Sequence, residues 1–387
     1  MPNSYQPAPY PVNTPPAWDQ NRLGWLALAH FDGFGTRTLH KLAAWYKGDG
    51  AAAWHVPLQR LAELGVTVHH AAGFAEFRRR ADLQGFAARL DKENIAFVLK
   101  PDAEYPALLK QIADPPYGLF KRGPPLPADQ TCVAIVGTRN CTSYGKTVAS
   151  QLARSLAQAG LVIVSGLALG IDALAHQAAL EVGGRCVAVL GGGCDDAALY
   201  PRHNLRLAQD ILRSNGTLLS EFPPGAEALK HHFPLRNRII SGLSRAVVVV
   251  EAAEDSGSLI TAHQALEQNR DVFAVPGSVL NEQSAGTNKL LKLGAIPCTG
   301  AQDILDQLSV AQPAGTPSAD PGSLPAPERA LLELLDRPLQ ADDIARQLKL
   351  NAAEVSGLLV ALELKGLIAP QGGQAYARCR LVLRQDD

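Results

Sequence analysis

The sequence predicts an α/β protein with a doubly wound parallel sheet, preceded by an all-helical domain and followed by a winged-helix domain. Six short apolar runs recur through the middle of the chain, and helical stretches separate them. Strands without polar alternation are buried on both faces, as in a parallel sheet that helices cover on both sides. The runs are Cys132–Val136, Leu161–Val164, Cys186–Leu190, Thr217–Ser220, Ala246–Val250 and Val272–Val275.

Length and composition are consistent with this organisation. The 387 residues suffice for two or three domains, and a hydrophobic content of 47% excludes a largely disordered or fibrous protein. The formal charge is −1, so any site for a polyanion must be a local concentration of cations. Six separated cysteines without a CxxC pair support neither structural zinc nor a disulfide framework. We find no signal peptide and no apolar stretch of membrane-spanning length, so we expect a cytoplasmic protein without a membrane partner.

The N-terminal third divides into three parts. Residues 1–20 hold six prolines and are expected to be disordered. Residues 21–100 repeat apolar positions at three- and four-residue spacing, which predicts a helical domain. Within it, the turn containing Gly33 and Gly35 is compatible with a helix-hairpin-helix phosphate site, although a tight interhelical turn is the favoured interpretation. The sheet domain is assigned to residues 101–307, and its first thirty residues are proline-rich and expected to be irregular.

The C-terminal part begins with a linker. Residues 308–327 are rich in Pro, Ala, Ser and Gly, and residues 328–387 have the pattern of three helices and a hairpin, as in a winged helix. Asn351 and Glu354 predict a capping box at the third helix. This helix offers only Glu354, Glu363 and Lys365 as charged residues, whereas helices that read the major groove carry Arg, Lys, Asn or Gln. We therefore interpret the winged helix as a protein-contact or structural module.

Glycine-rich turns follow three successive strands. In a doubly wound sheet such turns meet at the carboxyl ends of the strands, where helix N-termini can donate N–H groups to an anion. An arginine in the first turn adds a planar cation suited to phosphate. Tight packing turns that bind nothing are the alternative. The candidate residues are Gly137 and Arg139 in the first turn, Ser165, Gly166 and Gly170 in the second, and Gly191 and Gly192 in the third.

Several chemistries are disfavoured by what these turns lack. The first turn is not GxGxxG, and no acidic residue ends the second strand, which argues against NAD. Gly145-Lys146-Thr147 ends like a P-loop, but Asn140 stands where the first glycine belongs. No catalytic triad, HExxH or metal-ligand spacing occurs, so we expect no cofactor, no metal and no catalytic residue. Isolated carboxylates near helix starts, such as Glu251, are interpreted as caps or solvated charges.

A second cluster combines cations with one aromatic residue. Phe233, Arg236, Asn237 and Arg238 lie within six positions, and Arg202 follows the third glycine turn. A base stacked on Phe233 would contribute ~1–3 kcal/mol, and the arginines would neutralise phosphates. The same pattern is equally compatible with a Phe233 side chain that belongs to the core and with arginines that form ion pairs.

These motifs together resemble those of one family. From about Tyr105 to Ala295, the stretches VAIVGTRNCTSYG, VSGLALGIDALAHQAAL, YPRHN and FPLRNRIISGL stand in an order similar to the DNA-processing protein A (DprA/Smf) family. The resemblance implies an extended Rossmann-like fold that binds single-stranded DNA as a homodimer. It also implies loading of RecA onto strands covered by single-strand-binding protein during natural transformation, without catalytic turnover.

The resemblance assigns individual residues by position. Arg139 matches the arginine of the family's Gly-Ser-Arg motif, with Thr138 in place of serine, and Arg202 stands at a position that is often basic. Phe233 to Arg238 match the motif Phe-Pro-x-Arg-Asn-Arg. Leu169 occupies a position where many members have Arg or Lys, so one phosphate contact is expected to be missing.

Two other functions compete with DNA binding as interpretations. Nucleotide-processing relatives of the lysine-decarboxylase-like group have similar turns and release a base from a nucleoside monophosphate. Their signature, Pro-Gly-Gly-x-Gly-Thr followed by a catalytic Glu, is absent here, where LGGGCDD ends the third strand. A transcription factor that uses the winged helix is disfavoured by the acidic third helix.

Overall fold

A computed structural model describes residues 18–126, 129–310, 324–364, 367–371 and 375–378. Residues 1–17 of the expected disordered start, most of the linker and Cys379 therefore lie outside the described residues. The helices are α1 Gln20–Ala29, α2 Thr36–Trp45, α3 Gly50–Trp54, α4 Leu58–Leu61, α5 Val68–Arg80, α6 Leu83–Lys92, α7 Ala107–Lys110, α8 Ser143–Gln158, α9 Ile171–Glu181, α10 Leu205–Arg213, α11 His232–Leu243, α12 Gly257–Glu267, α13 Ala285–Lys292, α14 Ala301–Gln307, α15 Ala326–Leu334, α16 Ala341–Leu348 and α17 Ala352–Leu364. The strands are β1 Ile95–Leu99, β2 Gly118–Arg122, β3 Cys132–Val136, β4 Val162–Ser165, β5 Cys186–Leu190, β6 Thr217–Ser220, β7 Ala246–Val249, β8 Asp271–Ala274, β9 Ile296–Pro297, β10 Leu339–Gln340, β11 Ile368–Gln371 and β12 Ala375–Arg378.

Nine strands form one sheet in the order β1-β2-β6-β5-β4-β3-β7-β8-β9. The seven strands from β6 to β9 in this order are parallel, whereas β2 runs antiparallel to both β1 and β6. The chain winds outward from β3 to β6 and then returns to continue from β7 on the other side of β3. This reversal places a topological switch point between β3 and β7, where ligands of such sheets bind.

Both faces of the sheet are covered, as the apolar runs predicted. Alternate residues of β3 enter different cores, because side chains of a strand alternate between its two faces. Val133 and Ile135 belong to the core that includes α8, α9 and α10, while Ala134 and Val136 belong to the core that includes α11 and α12. The doubly wound sheet is therefore confirmed, and each of the six predicted strands occurs within one residue of its expected bounds.

Two expectations for the N-terminal part were wrong. Strand β1 lies in the block expected to be helical, and strand β2 with helix α7 lies in the segment expected to be irregular. The prolines of that segment flank β2 and do not interrupt it. Its pairing is tertiary, since Phe120 is registered with both Phe97 of β1 and Ser220 of β6.

The chain separates into two compact units, Met1–Gln312 and Pro313–Asp387. The second has the predicted winged-helix elements, with the short strand β10 added to the hairpin of β11 and β12. The capping box is confirmed: the N–H of Asn351 donates to Glu354 Oε2 at 2.8 Å, and the N–H of Glu354 donates to Asn351 Oδ1 at 2.9 Å. In the described part of the chain, no helix is both long and apolar enough to span a membrane.

Candidate nucleic-acid interface

Arg139 projects from the loop that follows β3 at the switch point. The backbone of this loop is held on two sides: the N–H of Thr138 donates to the carbonyl oxygen of Glu251 at 2.7 Å, and the N–H of Ile171 donates to the carbonyl oxygen of Thr138 at 3.2 Å. Gly170 has φ +80°, and a Cβ there would overlap the Thr138 carbonyl oxygen, so this close approach requires glycine. The Arg139 side chain is exposed, and within the described ranges no carboxylate pairs with it.

The Arg139 guanidinium lies over an aromatic ring. Its central carbon is 5.3 Å from the ring centroid of Phe233, the second residue of α11. Tyr200, which follows β5 and is 49% exposed, contacts the same ring at a centroid distance of 5.9 Å. A Cβ on Gly191 would lie 3.1 Å from the Phe233 ring, so glycine lets the ring rest on the backbone. Half-buried Phe233 thus shares one surface with an exposed cation and a second exposed ring, an arrangement typical of single-strand binding.

Arg236 supports this surface from its buried side. It is only 4% exposed, and its Nη1 donates to the carbonyl oxygens of Gly166, at 2.6 Å, and Val189. Burial lowers the pKa of the guanidinium to about 10, an effect that Asp172 opposes and Arg139 reinforces, so the group remains a cation at neutral pH. Its Nε donates to the side chain of Asn237, whose amide nitrogen donates to the Gly257 carbonyl oxygen at 3.3 Å. Both side chains therefore fix backbone segments around Phe233.

A buried carboxylate of the protein itself binds the first glycine turn. Glu251 is 1% exposed and accepts hydrogen bonds from the Thr142 N–H at 2.9 Å and the Thr142 hydroxyl at 2.5 Å. Thr142 is the N-cap of α8, and a Cβ on Gly145 would overlap the Glu251 carboxylate. The chain's own carboxylate thus occupies the place where a helix N-terminus would bind an anion. The interpretation of this carboxylate as a cap agrees with its contacts.

A carboxylate also accepts an N–H of the second turn, and the third turn differs. In the second turn, Asp172 accepts from the N–H of Gly166 at 3.0 Å; burial raises the pKa of Asp172, and Arg236 opposes that rise. In the third, the N–H of Gly193 donates to the carbonyl oxygen of Ala226 at 2.9 Å, while Asp195 accepts from the N–H groups of Gly225 at 2.7 Å and Ala198 at 3.3 Å, outside the predicted glycines. The expected cradle of backbone donors therefore stays a prediction, with one N–H in each of the first two turns already bound by a carboxylate.

Several predicted site residues also make packing contacts. Ser165 is fully buried and donates to the Ile135 carbonyl oxygen at 2.6 Å. The carbonyl oxygen of Gly192 accepts from the Ser220 hydroxyl at 2.7 Å. A Cβ on Gly137 would lie 2.7 Å from the Ile171 side chain, and one on Gly166 would overlap the Arg236 guanidinium.

The other two predicted cations, Arg202 and Arg238, lie in different surroundings. Arg202 is exposed and donates to the Asp196 carbonyl oxygen, so it stays near the surface beside Tyr200. Arg238 is 5% exposed and pairs with Glu221 and Asp114, so it cannot face the same strand as Arg139. Leu169, at the position expected to lack a phosphate contact, is an exposed apolar side chain.

The glycine turn of the helical domain also abuts a carboxylate. Thr36, the first residue of α2, donates its hydroxyl to Glu221. A phosphate at this turn would lie beside that carboxylate, so the structure agrees with a tight interhelical turn. Tyr200 is the residue that sequence reasoning overlooked, although an aromatic residue beside the third glycine turn was a usable signal.

The described residues contain no cluster of three or more His, Cys, Asp or Glu side chains able to hold a metal. The five cysteines in the described ranges are free thiols. Burial raises the pKa of Cys132, Cys186, Cys194 and Cys298 to about 12, which makes these four poor nucleophiles.

Comparison with known proteins agrees with this fold. The profile described as DNA recombination-mediator protein A matches residues 96–309, and that described as DprA winged helix domain matches residues 313–374. Protein Smf of Escherichia coli is 37% identical over 365 residues, which are 92% of this chain and 95% of that protein. DNA processing protein DprA of Bacillus subtilis is 50% identical over 206 residues, 53% of this chain and 68% of that protein.

Two solved structures extend the comparison. DNA processing protein A of Streptococcus pneumoniae has a TM-score of 0.62 and 36% identity, and the match covers 75% of this chain and 98% of that one. The protein of the same name from Helicobacter pylori, whose structure concerns its single-stranded DNA binding mode, has a TM-score of 0.50 and 33% identity, covering 55% of this chain and 95% of that one. With its sheet domain and winged helix both matched, the chain belongs to the DNA-processing protein A (DprA/Smf) family.

Proposed function

We propose that this protein binds single-stranded DNA at the carboxyl edge of its sheet and performs no covalent chemistry on it. Arg139, Phe233, Tyr200 and Arg202 form the contact surface, with Gly170 and Gly191 shaping the backbone beneath it. The observation that carries the proposal is the exposed Arg139 guanidinium over the Phe233 ring. An aromatic face can stack on any unpaired base, and the adjacent cation can neutralise the neighbouring phosphate.

Recognition of a polymer, as opposed to a free nucleotide, is supported by the carboxylates bound at the first two glycine turns. Glu251 and Asp172 each accept an N–H of the first two glycine turns, which leaves fewer backbone donors for a terminal phosphate. Phosphates must then be recognised by exposed side chains, which is how a backbone-tracking surface works. This arrangement disfavours the alternative, a phosphoribohydrolase-like enzyme of the lysine-decarboxylase-like group.

The cellular role we propose follows from membership of the family. The protein protects incoming single strands and loads RecA onto them in natural transformation and recombination, acting as a cytoplasmic homodimer on DNA that single-strand-binding protein otherwise covers. Support for this finer role comes from the family resemblance and from the similarity to the Helicobacter pylori protein, which itself binds single-stranded DNA.

A fluorescence-anisotropy titration with labelled oligo-dT, repeated across a salt series, tests the binding proposal. We expect single strands to bind more tightly than a duplex of equal length. Equal or tighter duplex binding would contradict the stacking argument, because paired bases do not expose a face to Phe233. Incubation with AMP should release no adenine, and release would favour the enzymatic alternative.

The finer role has its own tests. Light scattering should give twice the mass of the chain, and RecA added with this protein should assemble on strands already coated with single-strand-binding protein. A monomeric mass, or assembly that is no faster than with RecA alone, would refute the corresponding part of the proposal while leaving DNA binding intact.

A further inference from the structure

Arg238 lies on α11, five residues after Phe233, at the junction of α11 with three other segments. Its Nη2 contacts Glu221 Oε2 at 2.5 Å, just beyond β6, and donates to the Thr36 hydroxyl oxygen at 3.2 Å, at the start of α2. Its Nη1 donates to the Asp114 carbonyl oxygen at 2.7 Å, and its Nε lies 3.3 Å from Asp114 Oδ2. Every terminal nitrogen of this buried guanidinium is therefore committed to protein partners.

The opposite side of α11 is fixed to the sheet. The His232 Nδ1 lies 3.1 Å from the Gly191 carbonyl oxygen, and its ring stacks on Phe222 with centroids 3.9 Å apart. Arg236 is bonded to carbonyl oxygens at the ends of β4 and β5. Phe233 lies between these two anchors, so the position of its ring depends on contacts at both sides of the helix.

A second contact joins the N-terminal helices to the same surroundings. Arg89 of α6 lies 3.4 Å from Asp195, which also accepts from the Gly225 N–H. Asp195 belongs to the loop after β5, and this loop carries both Gly191 and Tyr200. The N-terminal helices thus contact both α11, which carries Phe233, and the loop after β5, which lies beside the Phe233 ring.

We propose that Arg238 is a positioning residue for single-stranded DNA: it ties α11 to the N-terminal helices, so that Phe233 keeps its place beside Arg139, and it contacts no phosphate. This inference rests on the proposed function. A ring that is already ordered costs less to immobilise on binding, so the free protein is preorganised for stacking. The motif Phe-Pro-x-Arg-Asn-Arg alone suggested the opposite, that Arg238 itself binds the strand.

The experiment compares Arg238→Ala, Arg238→Lys, Glu221→Gln and Arg22→Ala in oligo-dT anisotropy across a salt series. Arg22 is a matched control, because it also joins an N-terminal helix to the sheet through a carboxylate, Asp102 at 3.1 Å, but it does not contact α11. We expect Arg238→Ala to weaken binding about fivefold or more, the cost of ordering one or two side chains, with an unchanged salt slope. Arg238→Lys should restore part of the affinity, and Arg22→Ala should leave it unchanged.

Glu221→Gln separates positioning from simple electrostatics. Removing a negative charge near DNA strengthens binding if charge alone matters, whereas loosening α11 weakens it. We expect weaker binding. This isosteric variant also keeps the proposal testable if Arg238→Ala fails to fold.

Unchanged affinity in both Arg238→Ala and Glu221→Gln would overturn the proposal. So would a salt slope that falls by about 0.7 in Arg238→Ala, because that change reports a lost phosphate contact. Amide hydrogen exchange without DNA provides a separate readout: exchange within His232–Leu243 should accelerate in Arg238→Ala but not in Arg22→Ala. If wild-type protein did not bind oligo-dT, the proposed function would fail, while the exchange result would still decide whether Arg238 fixes α11.

Discussion

Replacing Arg139 by alanine should weaken single-strand binding in two separable ways. The exposed guanidinium is available to one phosphate, and each phosphate neutralised on a single strand contributes about 0.7 to the slope of log K against log salt. At physiological salt this corresponds to ~0.8 kcal/mol. The cation–π contact with Phe233, 5.3 Å away, orders the ring before DNA binds; without it, ordering the ring costs ~0.5–1.5 kcal/mol on binding, so the total loss is about tenfold or more in affinity.

A double-mutant cycle with Phe233→Leu isolates the contact between the two side chains. Leucine keeps an apolar group but removes the aromatic face, so we expect a loss of ~1–3 kcal/mol with no change in salt slope. The double variant should lose less than the sum of the single variants by ~0.5–1 kcal/mol, since the cation–π contact is already absent in each. Arg139→Lys should retain the slope but lose part of the affinity.

The assay is anisotropy of labelled oligo-dT from low to physiological salt. Arg154→Ala is the control, because it removes the same charge from the far end of α8, where Arg154 pairs with Glu181 on the surface. An unchanged salt slope in Arg139→Ala, or the same loss in Arg154→Ala, would refute a phosphate contact by Arg139.

Three further outcomes are expected. Glu251→Ala should lower the free energy of unfolding by ~1–3 kcal/mol, because the Thr142 N–H loses its acceptor; urea denaturation measures this, and unchanged stability would show that the carboxylate is not needed there. Burial lowers the pKa of His176 to about 3, so between pH 6.5 and 3 the unfolded chain binds a proton that the native state does not. Stability should therefore fall with decreasing pH by ~1.4 kcal/mol per unit, a dependence that His176→Leu should flatten in urea titrations at several pH values. Removal of residues 313–387 should leave oligo-dT affinity unchanged, and loss of most affinity would assign the winged helix a direct part in binding.

The sequence predicted where the candidate site lies but not how its donors are used. Arg139 and Phe233 were predicted as contact residues because glycine turns and a cationic cluster are local patterns. The filling of the first turn was not predictable, since Glu251 reaches Thr142 from 109 positions away along the chain. A glycine turn has the same sequence whether its N–H groups await a ligand or bind the protein's own carboxylate.

What the sequence by itself determined is the central sheet, because a run of apolar residues between helical stretches encodes a strand buried on both faces. Only the tertiary structure decided the pairing of β1 and β2, which depends on partners distant in the chain. The tertiary structure also gave two arginines of one motif different partners. Successive residues of an α-helix are about 100° apart, so Arg236 and Arg238 lie on opposite sides of α11. One consequently supports the sheet edge beneath Phe233, and the other binds the N-terminal helices.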